Sequence, residues 1–333
     1  MRRSRILGVG AYAPPRVVKN DDLKQWMDTT DEWIIERTGI RERRWIDEGS
    51  GIGSSDLGVE AARRALAAAE LPLEKIQMVV FATLSPDHDF PGTGVFLQRK
   101  LGLKPMPILD IRQQCTGFIY GLAIADQFIK TGAVDYVLVV GAEVHSTGID
   151  ISTRGRDVAV LFGDAGGAAV VGPSEDDRRG ILSAHLYADG ASAEDLWVEV
   201  PSSKKHPRLS HQDLEEGRHY PQMKGRQVFK GAVTHMTEVV AEALKSNGYT
   251  LADLGCVIPH QANLRINEFV QKTLGLPDAK IHNNIDRYGN TTAATIPLCL
   301  DEALKLGKVK KDDLVCLVAF GAGYTWGSIL MRW

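Results

Sequence analysis

The chain contains a long internal repeat, which limits the folds that are open to it. Phe96–Leu103 matches Phe269–Leu276, and Leu138–Glu143 matches Val318–Gly323 further along. Between these matches, Cys115 falls opposite Asn290 at the start of a helical pattern. Self-similarity in the same order over most of each half indicates a duplicated fold. Two copies packed face to face bring their equivalent helix starts together, so a nucleophile from one half can meet polar partners from the other.

Short apolar runs alternate with helical patterns along both halves. Met78–Ala82, Val137–Gly141 and Val315–Phe320 fit strands that are buried on both faces. The helical patterns cover Leu57–Ala69, Cys115–Lys130, Thr234–Lys245 and Leu264–Leu274. This alternation predicts a layered α/β architecture. The pattern after Cys115 is apolar nearly all round, which predicts a central, enclosed helix.

The repeat divides the chain into two predicted halves, residues 1–175 and 176–333. The first carries Cys115, and the second carries His260 and Asn290. One polar segment, residues 191–226, has no match in the first half, and we expect it to form an inserted loop or cap.

The composition excludes several classes of protein. The formal charge is −3, so no overall basic field favours nucleic acid. The four cysteines are scattered without metal-ligand spacing, which argues against a zinc site and a disulfide framework and suits a reducing cytosol. The apolar run near the N-terminus soon meets Pro14 and Pro15, and no stretch is long enough to span a bilayer. We therefore expect a soluble, cytoplasmic protein with no metal.

Three residues are candidates for chemistry. Cys115 opens a helix, where unpaired N–H groups and the helix dipole stabilise a thiolate, so we expect its pKa to be lowered. His260 follows a strand and precedes a helix, and Asn290 follows Gly289 in a sharp turn. Taken singly, the histidine fits a core position and the asparagine a turn. Together with Cys115 at the centre of a duplication, they form a nucleophile with two electrophilic partners.

A glycine-rich turn, residues 320–328, follows a buried strand. Its amides are candidates to hold an oxyanion together with the N–H of Cys115. The predicted oxyanion amides are those of Cys115, Gly321, Ala322 and Gly323. An ordinary turn between strands is the alternative interpretation of this segment.

Motifs from near the N-terminus to the last residues resemble the 3-oxoacyl-[acyl-carrier-protein] synthase III family, condensing enzymes of the thiolase superfamily. The motifs are Thr30-Asp-Glu-Trp-Ile34, Arg37-Thr-Gly-Ile-Arg-Glu-Arg43, Cys115-Thr-Gly-Phe118, Phe162-Gly-Asp164, His260-Gln-Ala-Asn-Leu-Arg-Ile266, Gly289-Asn-Thr-Thr-Ala-Ala294 and Phe320-Gly-Ala-Gly-Tyr-Thr-Trp-Gly-Ser328. The resemblance implies a five-layered α-β-α-β-α fold with two pseudo-equivalent halves, and a homodimer. It implies that Cys115 accepts an acyl group from acyl-CoA. His260 and Asn290 would then bind malonyl-ACP through its thioester oxygen and aid its decarboxylation.

The resemblance also assigns substrate contacts, with no cofactor beyond the substrates acyl-CoA and malonyl-ACP. The residues that it places along the CoA tunnel are Thr29, Trp33, Arg37, Arg156, Gly225, Phe229, Ala262, Asn263 and Arg265. Trp33 would stack on the adenine. Lys230, Arg265 and Lys272 would present positive charge to the acyl carrier protein. Phe90 matches the position that reaches across the dimer into the partner's acyl pocket.

Other functions use the same residues. A specialised synthase would join two acyl chains head to head or extend a secondary metabolite, and it tends to need a further carboxylate near the cysteine. An acyltransferase to a hydroxyl often has aspartate at the position of Asn290. A non-catalytic subunit would not need all three of Cys115, His260 and Asn290. A papain-like hydrolase also uses Cys, His and Asn, but the duplication and the motif order argue against it.

Overall fold

The computed structural model of the chain describes residues 2–333. Its strands are β1 Ser4–Tyr12, β2 Val17–Lys19, β3 Glu42–Arg44, β4 Met78–Ala82, β5 Ile108–Ile111, β6 Val137–Glu143, β7 Ala165–Pro173, β8 Gly180–Ala188, β9 Leu196–Trp197, β10 Gln222–Met223, β11 Leu254–Pro259, β12 Leu314–Gly321 and β13 Thr325–Arg332. Its α-helices are α1 Asp31–Thr38, α2 Ser54–Ala68, α3 Thr93–Leu101, α4 Gly117–Lys130, α5 Arg156–Ala159, α6 His211–Glu215, α7 Gly225–Ser246, α8 Leu264–Leu274, α9 Ile285–Tyr288 and α10 Thr295–Lys305.

The two main sheets repeat one another. The first has the order β1-β7-β6-β4-β5, and the second, written from its matching edge, has the order β8-β13-β12-β11. In each sheet the inner pair is parallel, β4 with β6 and β11 with β12, and the remaining pairs towards β1 and β8 are antiparallel. The fifth strand of the second sheet is reduced to a single bridge between Val257 and Ile281. The predicted duplication is confirmed.

The helices and sheets stack in five layers. Helices α2 and α3 cover the outer face of the first sheet, and α7 and α8 cover the outer face of the second. Helices α4 and α10 lie between the sheets, in a core cluster that takes apolar residues from both. This is the predicted α-β-α-β-α architecture.

The two central helices begin very close to the first sheet and to each other. A Cβ added at Gly141 would lie 2.4 Å from the carbonyl oxygen of Ala293, just before α10. A Cβ added at Gly117 would lie 2.8 Å from the Cβ of Ala82. Only glycine fits at these positions without displacing backbone, so the close approach of the two helix starts is built into the sequence.

Most of the predicted elements are confirmed, but three of the four helices begin elsewhere. Helix α2 begins at Ser54 rather than Leu57. The helix expected at Cys115 begins at Gly117, after a 3-10 turn over Gln114–Thr116. Helix α7 begins at Gly225 rather than Thr234. The apolar face of α7 starts earlier than expected, because Val228, Phe229 and Val233 pack against the core cluster under this helix, and Val228 and Phe229 also line a cavity.

The polar segment 191–226 contains β9, α6 and β10, and β9 pairs with β10. The carboxylate of Asp195 accepts hydrogen bonds from the Tyr324 hydroxyl at 2.9 Å and from the Lys224 ammonium at 3.0 Å. The segment is thereby tied to the glycine-rich turn. The first sheet ends at Pro173 and β8 begins at Gly180, but the division at residues 175 and 176 stays a prediction.

Within residues 2–333, no helix combines the length and the apolar character that a membrane crossing requires.

Helix α2 packs directly on β1, and a Cβ at Gly10 would lie 2.3 Å from the amide nitrogen of Ala65. We expect Gly10→Ala to lower the free energy of unfolding by about 1–3 kcal/mol, because backbone on both sides must shift. Urea denaturation measures the effect. The control is Gly190→Ala, since no heavy atom of the described residues 2–333 lies within 4 Å of the added Cβ, and its expected change is below about 0.5 kcal/mol. Equal effects at both positions would contradict this packing.

Candidate active site

Cys115 lies at the start of the central helix α4. It is the middle residue of the 3-10 turn Gln114–Thr116, which runs directly into the helix. Gln114 has a φ of +45°, a left-handed conformation that turns the chain sharply after β5. Cys115 itself is only 7% exposed. The fold therefore presents the thiol from an enclosed helix start, as predicted.

The pKa of the Cys115 thiol is raised, which corrects the expectation of a lowered value. Burial raises this pKa to about 12, and the carboxylate of Glu143 adds to the effect. The backbone N–H groups of Ala322 and Cys115 lower the pKa without outweighing these causes. Desolvation of a thiolate in this position is thus a larger effect than the helix terminus.

His260 lies directly after β11, and its backbone N–H donates to the carbonyl of Val318 at 2.8 Å. Its Nδ1 lies 2.7 Å from the hydroxyl oxygen of Thr295. Its Nε2 is buried and has no hydrogen-bond partner among residues 2–333. Burial lowers the pKa of this imidazole to about 3. The ring is therefore neutral at physiological pH, with one nitrogen fixed and the other available.

Asn290 is held on both its backbone and its side chain. Its N–H donates to the carbonyl of Leu161 at 2.7 Å, and its own carbonyl accepts from the N–H of Gly163 at 3.1 Å. The side-chain Oδ1 accepts the backbone N–H of Thr292 at 2.8 Å. Because the oxygen of the amide is occupied, its NH2 group is the end left for a substrate.

The glycine-rich turn after β12 approaches the nucleophile closely. A Cβ at Gly321 would lie 2.8 Å from the Cβ of Cys115 and 3.3 Å from its sulfur. The turn is joined to the helix start by a hydrogen bond of 2.9 Å between the hydroxyls of Thr116 and Thr325. Together with the N–H of Ala322, this places backbone donors beside the sulfur.

Two cavities meet at Cys115. The first has a volume of about 380 Å³, and its lining includes Cys115, His260 and Asn290. The second has a volume of about 690 Å³ and is also lined by Cys115 and Asn290, together with Ala322 and Gly323. The structure thus brings the three predicted chemical residues together where one thiol faces two spaces.

Segment 191–226 contributes to the walls of both cavities. Leu196 lines the two of them, Met223 lines the first, and Trp197 and Pro221 line the second. The segment therefore covers the site, although its mechanical role as a cap stays a prediction.

Most of the residues predicted along the CoA tunnel line the first cavity, namely Trp33, Arg37, Gly225, Phe229, Ala262 and Asn263. The guanidinium groups of Arg37 and Arg156 lie 4.4 and 4.6 Å from the ring centroid of Trp33. Both distances are within the range of cation–π contacts. The indole that is expected to stack on an adenine contacts two cations here.

The remaining predicted contacts lie outside that lining. Thr29 is buried, and its hydroxyl has no hydrogen-bond partner among residues 2–333. Lys230, Arg265 and Lys272 are exposed. Phe90 is 84% exposed and lines neither cavity of its own chain.

Two buried ionisable residues of the site, Glu143 and His145, were not predicted from the sequence. Glu143, the last residue of β6, accepts hydrogen bonds from the hydroxyl of Thr83 and the amides of Leu84 and Ser85, and burial raises its pKa to about 7. His145 follows two residues later and lines the second cavity. The available signal was an ionisable residue at the end of an apolar strand, where side chains enter a site.

A thiol with a pKa of about 12 is mostly protonated over the accessible pH range. We expect iodoacetamide to alkylate Cys115 slowly at about pH 7 and faster at each higher pH, with no plateau up to about pH 10. Free cysteine, with a pKa of about 8.5, should approach its plateau in that range. Mass spectrometry of the Cys115 peptide gives the rates, and a plateau near pH 8 would contradict the raised pKa.

Comparison with known proteins shows the family of the chain. Residues 244–333 match the family model described as 3-Oxoacyl-[acyl-carrier-protein (ACP)] synthase III C terminal, and residues 109–190 match that of 3-Oxoacyl-[acyl-carrier-protein (ACP)] synthase III. A beta-ketoacyl-[acyl-carrier-protein] synthase III of Caldanaerobacter subterraneus subsp. tengcongensis is 45% identical over 328 residues, which cover 98% of this chain and 97% of the relative.

Solved structures are similar over nearly the whole chain. The 3-oxoacyl-[acyl-carrier-protein] synthase III of Aquifex aeolicus VF5 superimposes with a TM-score of 0.90 at 42% identity, covering 99% of this chain and 100% of that one. The priming beta-ketosynthase of the R1128 polyketide biosynthetic pathway superimposes with a TM-score of 0.89 at 35% identity, covering 99% and 97%. The chain therefore belongs to the 3-oxoacyl-[acyl-carrier-protein] synthase III family and is a condensing acyltransferase of thiolase-like fold.

Proposed function

We propose that this synthase transfers an acyl group from acyl-CoA to Cys115 and condenses it with malonyl-ACP, releasing CO2 and 3-oxoacyl-ACP. The observation that carries the proposal is the position of Cys115, where two cavities meet. In a ping-pong reaction, the acyl chain on the thiol must lie in one space while the other is vacated for the second substrate. The geometry supplies both spaces.

In the loading step, Sγ of Cys115 attacks the thioester carbonyl and the bond from that carbon to the CoA sulfur breaks. The thiol proton ends on the departing CoA sulfur. Because the thiol is protonated at rest, its ionisation is coupled to the arrival of the acyl-CoA. The N–H groups of Cys115 and Ala322, which face the sulfur, are placed to stabilise the oxyanion.

In the condensation step, His260 and Asn290 hold the thioester oxygen of the malonyl group. The Thr295 hydroxyl oxygen lies 2.7 Å from Nδ1 of His260 and 2.9 Å from the Thr292 carbonyl oxygen, and its one proton can be donated to only one of them. We assign that proton to Nδ1, which leaves the ring proton on Nε2, so Nε2–H and the Asn290 NH2 both donate to the thioester oxygen. CO2 leaves, and its bonding electrons form the enolate. The enolate carbon attacks the acyl carbonyl and the Cys115 thiolate departs, so no separate base has to remove a proton from the carbon.

The second cavity is the proposed acyl pocket. Its volume of about 690 Å³ is that of a pocket for a small-molecule ligand and exceeds what an acetyl group fills. In a homodimer, the exposed Phe90 would enter the corresponding cavity of the second copy. Strand β5 is a free edge of the first sheet and carries the exposed Leu109, so it offers a pairing surface for that copy.

The mouth of the first cavity is the proposed binding site for CoA and for the carrier protein. Arg37 and Arg156 would bind phosphates with their planar guanidinium groups while Trp33 contacts the adenine. The exposed Lys230 and Lys272 would attract an acidic carrier. These substrates and the four unpaired cysteines suit the cytoplasm.

A second candidate function is a specialised synthase with the same site. The size of the second cavity favours it, and Glu143 supplies the buried carboxylate that the sequence did not reveal. That carboxylate is held by hydroxyl and amide donors, however, which gives it a structural role. Intact-protein mass after incubation with acyl-CoAs from acetyl to long chain separates the two functions, since a housekeeping initiator prefers the short chains.

Cys115→Ala should abolish acyl loading, because no other thiol among residues 2–333 lines either cavity. Intact-protein mass after incubation with acyl-CoA measures the adduct. Cys256→Ala, at a buried cysteine within β11, is the matched control and should load normally. If Cys115→Ala were loaded at the wild-type rate, Cys115 would not be the nucleophile.

Asn290→Ala should slow condensation by about 100- to 1,000-fold, the usual effect of one lost oxyanion donor. Acyl loading should stay largely intact. A single-turnover assay, in which the acyl-enzyme is formed first and malonyl-ACP is added second, separates the two steps. Equal loss of both steps would make the role of Asn290 structural.

A further inference from the structure

Thr292 has a backbone conformation that its residue type disfavours. It is β-branched and has a φ of +48°, in the left-handed region. The residue is 1% exposed, so solvent does not stabilise this conformation. Strain of this kind persists only where the surroundings hold it, and it is concentrated at functional sites.

Every polar group of Thr292 has a partner inside the protein. Its N–H donates to Oδ1 of Asn290 at 2.8 Å, and its carbonyl oxygen lies 2.9 Å from the hydroxyl oxygen of Thr295. Its own hydroxyl lies 2.8 Å from Nε2 of His145. The strained residue is thus connected to Asn290 directly, to His260 through Thr295, and to a second histidine through its side chain.

His145 is itself rigidly placed. Its backbone N–H donates to Oδ1 of Asp164 at 2.7 Å, and its ring packs on Phe162 with centroids 4.5 Å apart. The same Phe162 pairs with Asn290 in an isolated bridge. The histidine therefore belongs to the framework that holds Asn290, although it lies on the side of the second cavity.

We infer that His145 is a positioning residue, which acts through the Thr292 side chain to hold the strained backbone that orients the Asn290 amide. When the Thr292 N–H occupies Oδ1, the Asn290 NH2 is directed to the substrate. An Asn290 amide turned the other way would set its NH2 against that N–H, two donors facing each other. The inference rests on the condensing function proposed above, and it adds a residue that positions Asn290 for the second step.

The first test is His145→Phe, which keeps a ring against Phe162 and removes the hydrogen bond to Thr292. Misplacement of a catalytic group by about 1 Å typically costs about 100-fold in rate. We therefore expect condensation of the pre-formed acetyl-enzyme with malonyl-ACP to slow by about 10- to 100-fold. His145 lines the proposed acyl pocket, so acetyl-CoA, which fills little of that space, is the primer, and each variant is loaded to completion before condensation is timed. His185→Phe is the matched control, since the Nε2 of this half-buried histidine lies 3.1 Å from the hydroxyl of Ser183, away from both cavities.

Thr292 supplies two further variants. Thr292→Val removes the hydroxyl and should reproduce the effect of His145→Phe, with no additional loss in the double variant because both changes break one link. Thr292→Gly in the His145→Phe background should recover most of the condensation rate, because glycine adopts a positive φ without support. Recovery by glycine is a result that a general loss of packing would not give.

Each outcome decides the inference. Unchanged condensation of the acetyl-enzyme in His145→Phe, additive losses in the double variant, or no recovery with Thr292→Gly would overturn it. If His145→Phe does not fold, Thr292→Val carries the same expectation.

If Asn290→Ala leaves condensation unchanged, the proposed function of Asn290 fails. If only Asn290→Ala slows condensation, the function stands and the role of His145 fails.

Discussion

The site depends on the contact between the starts of the two central helices. Each start is a 3-10 turn, Gln114–Thr116 before α4 and Thr292–Ala294 before α10, and the two turns contact each other. The first residue of each turn has a positive φ, +45° in one and +48° in the other. Duplication has therefore preserved the same backbone strain twice. One copy uses it to present the nucleophile, and the other uses it to orient the groups around the substrate.

Burial of the site makes the resting thiol less reactive and makes the hydrogen-bond donors around it more effective. A buried thiol is a poor nucleophile while it is protonated, and the raised pKa of Cys115 shows how strongly the surroundings disfavour charge. The same surroundings strengthen each N–H donor that faces the sulfur, because electrostatic interactions are less screened in a buried site. The neutral His260 follows from the same burial, since an imidazolium in this layer would be equally disfavoured.

The sequence was sufficient to predict the layers, because repeat order and apolar runs report directly on strands and buried helices. It also predicted that Cys115, His260 and Asn290 meet, since the duplication brings the two central helix starts together. The predicted register of the repeat was wrong by three residues at this point, because Cys115 matches Ala293, the middle residue of the second turn, and not Asn290. The prediction of a lowered pKa for Cys115 was wrong, because desolvation of the thiol depends on how completely other segments of the chain enclose the helix start. Glu143 and His145 escaped notice for a similar reason: their partners, such as Thr292, come from distant parts of the chain.

The chemical groups are divided between two halves that meet in one central layer. Neither half alone holds a complete set, so the reaction depends on the registration of one sheet against the other. A displacement of a few tenths of an ångström there changes the distance from the sulfur to its donors while leaving every strand and helix intact. The turnover rate is consequently more sensitive to the contact between the two halves than any spectroscopic measure of secondary structure. On heating, activity should therefore be lost at a lower temperature than the one at which the protein unfolds.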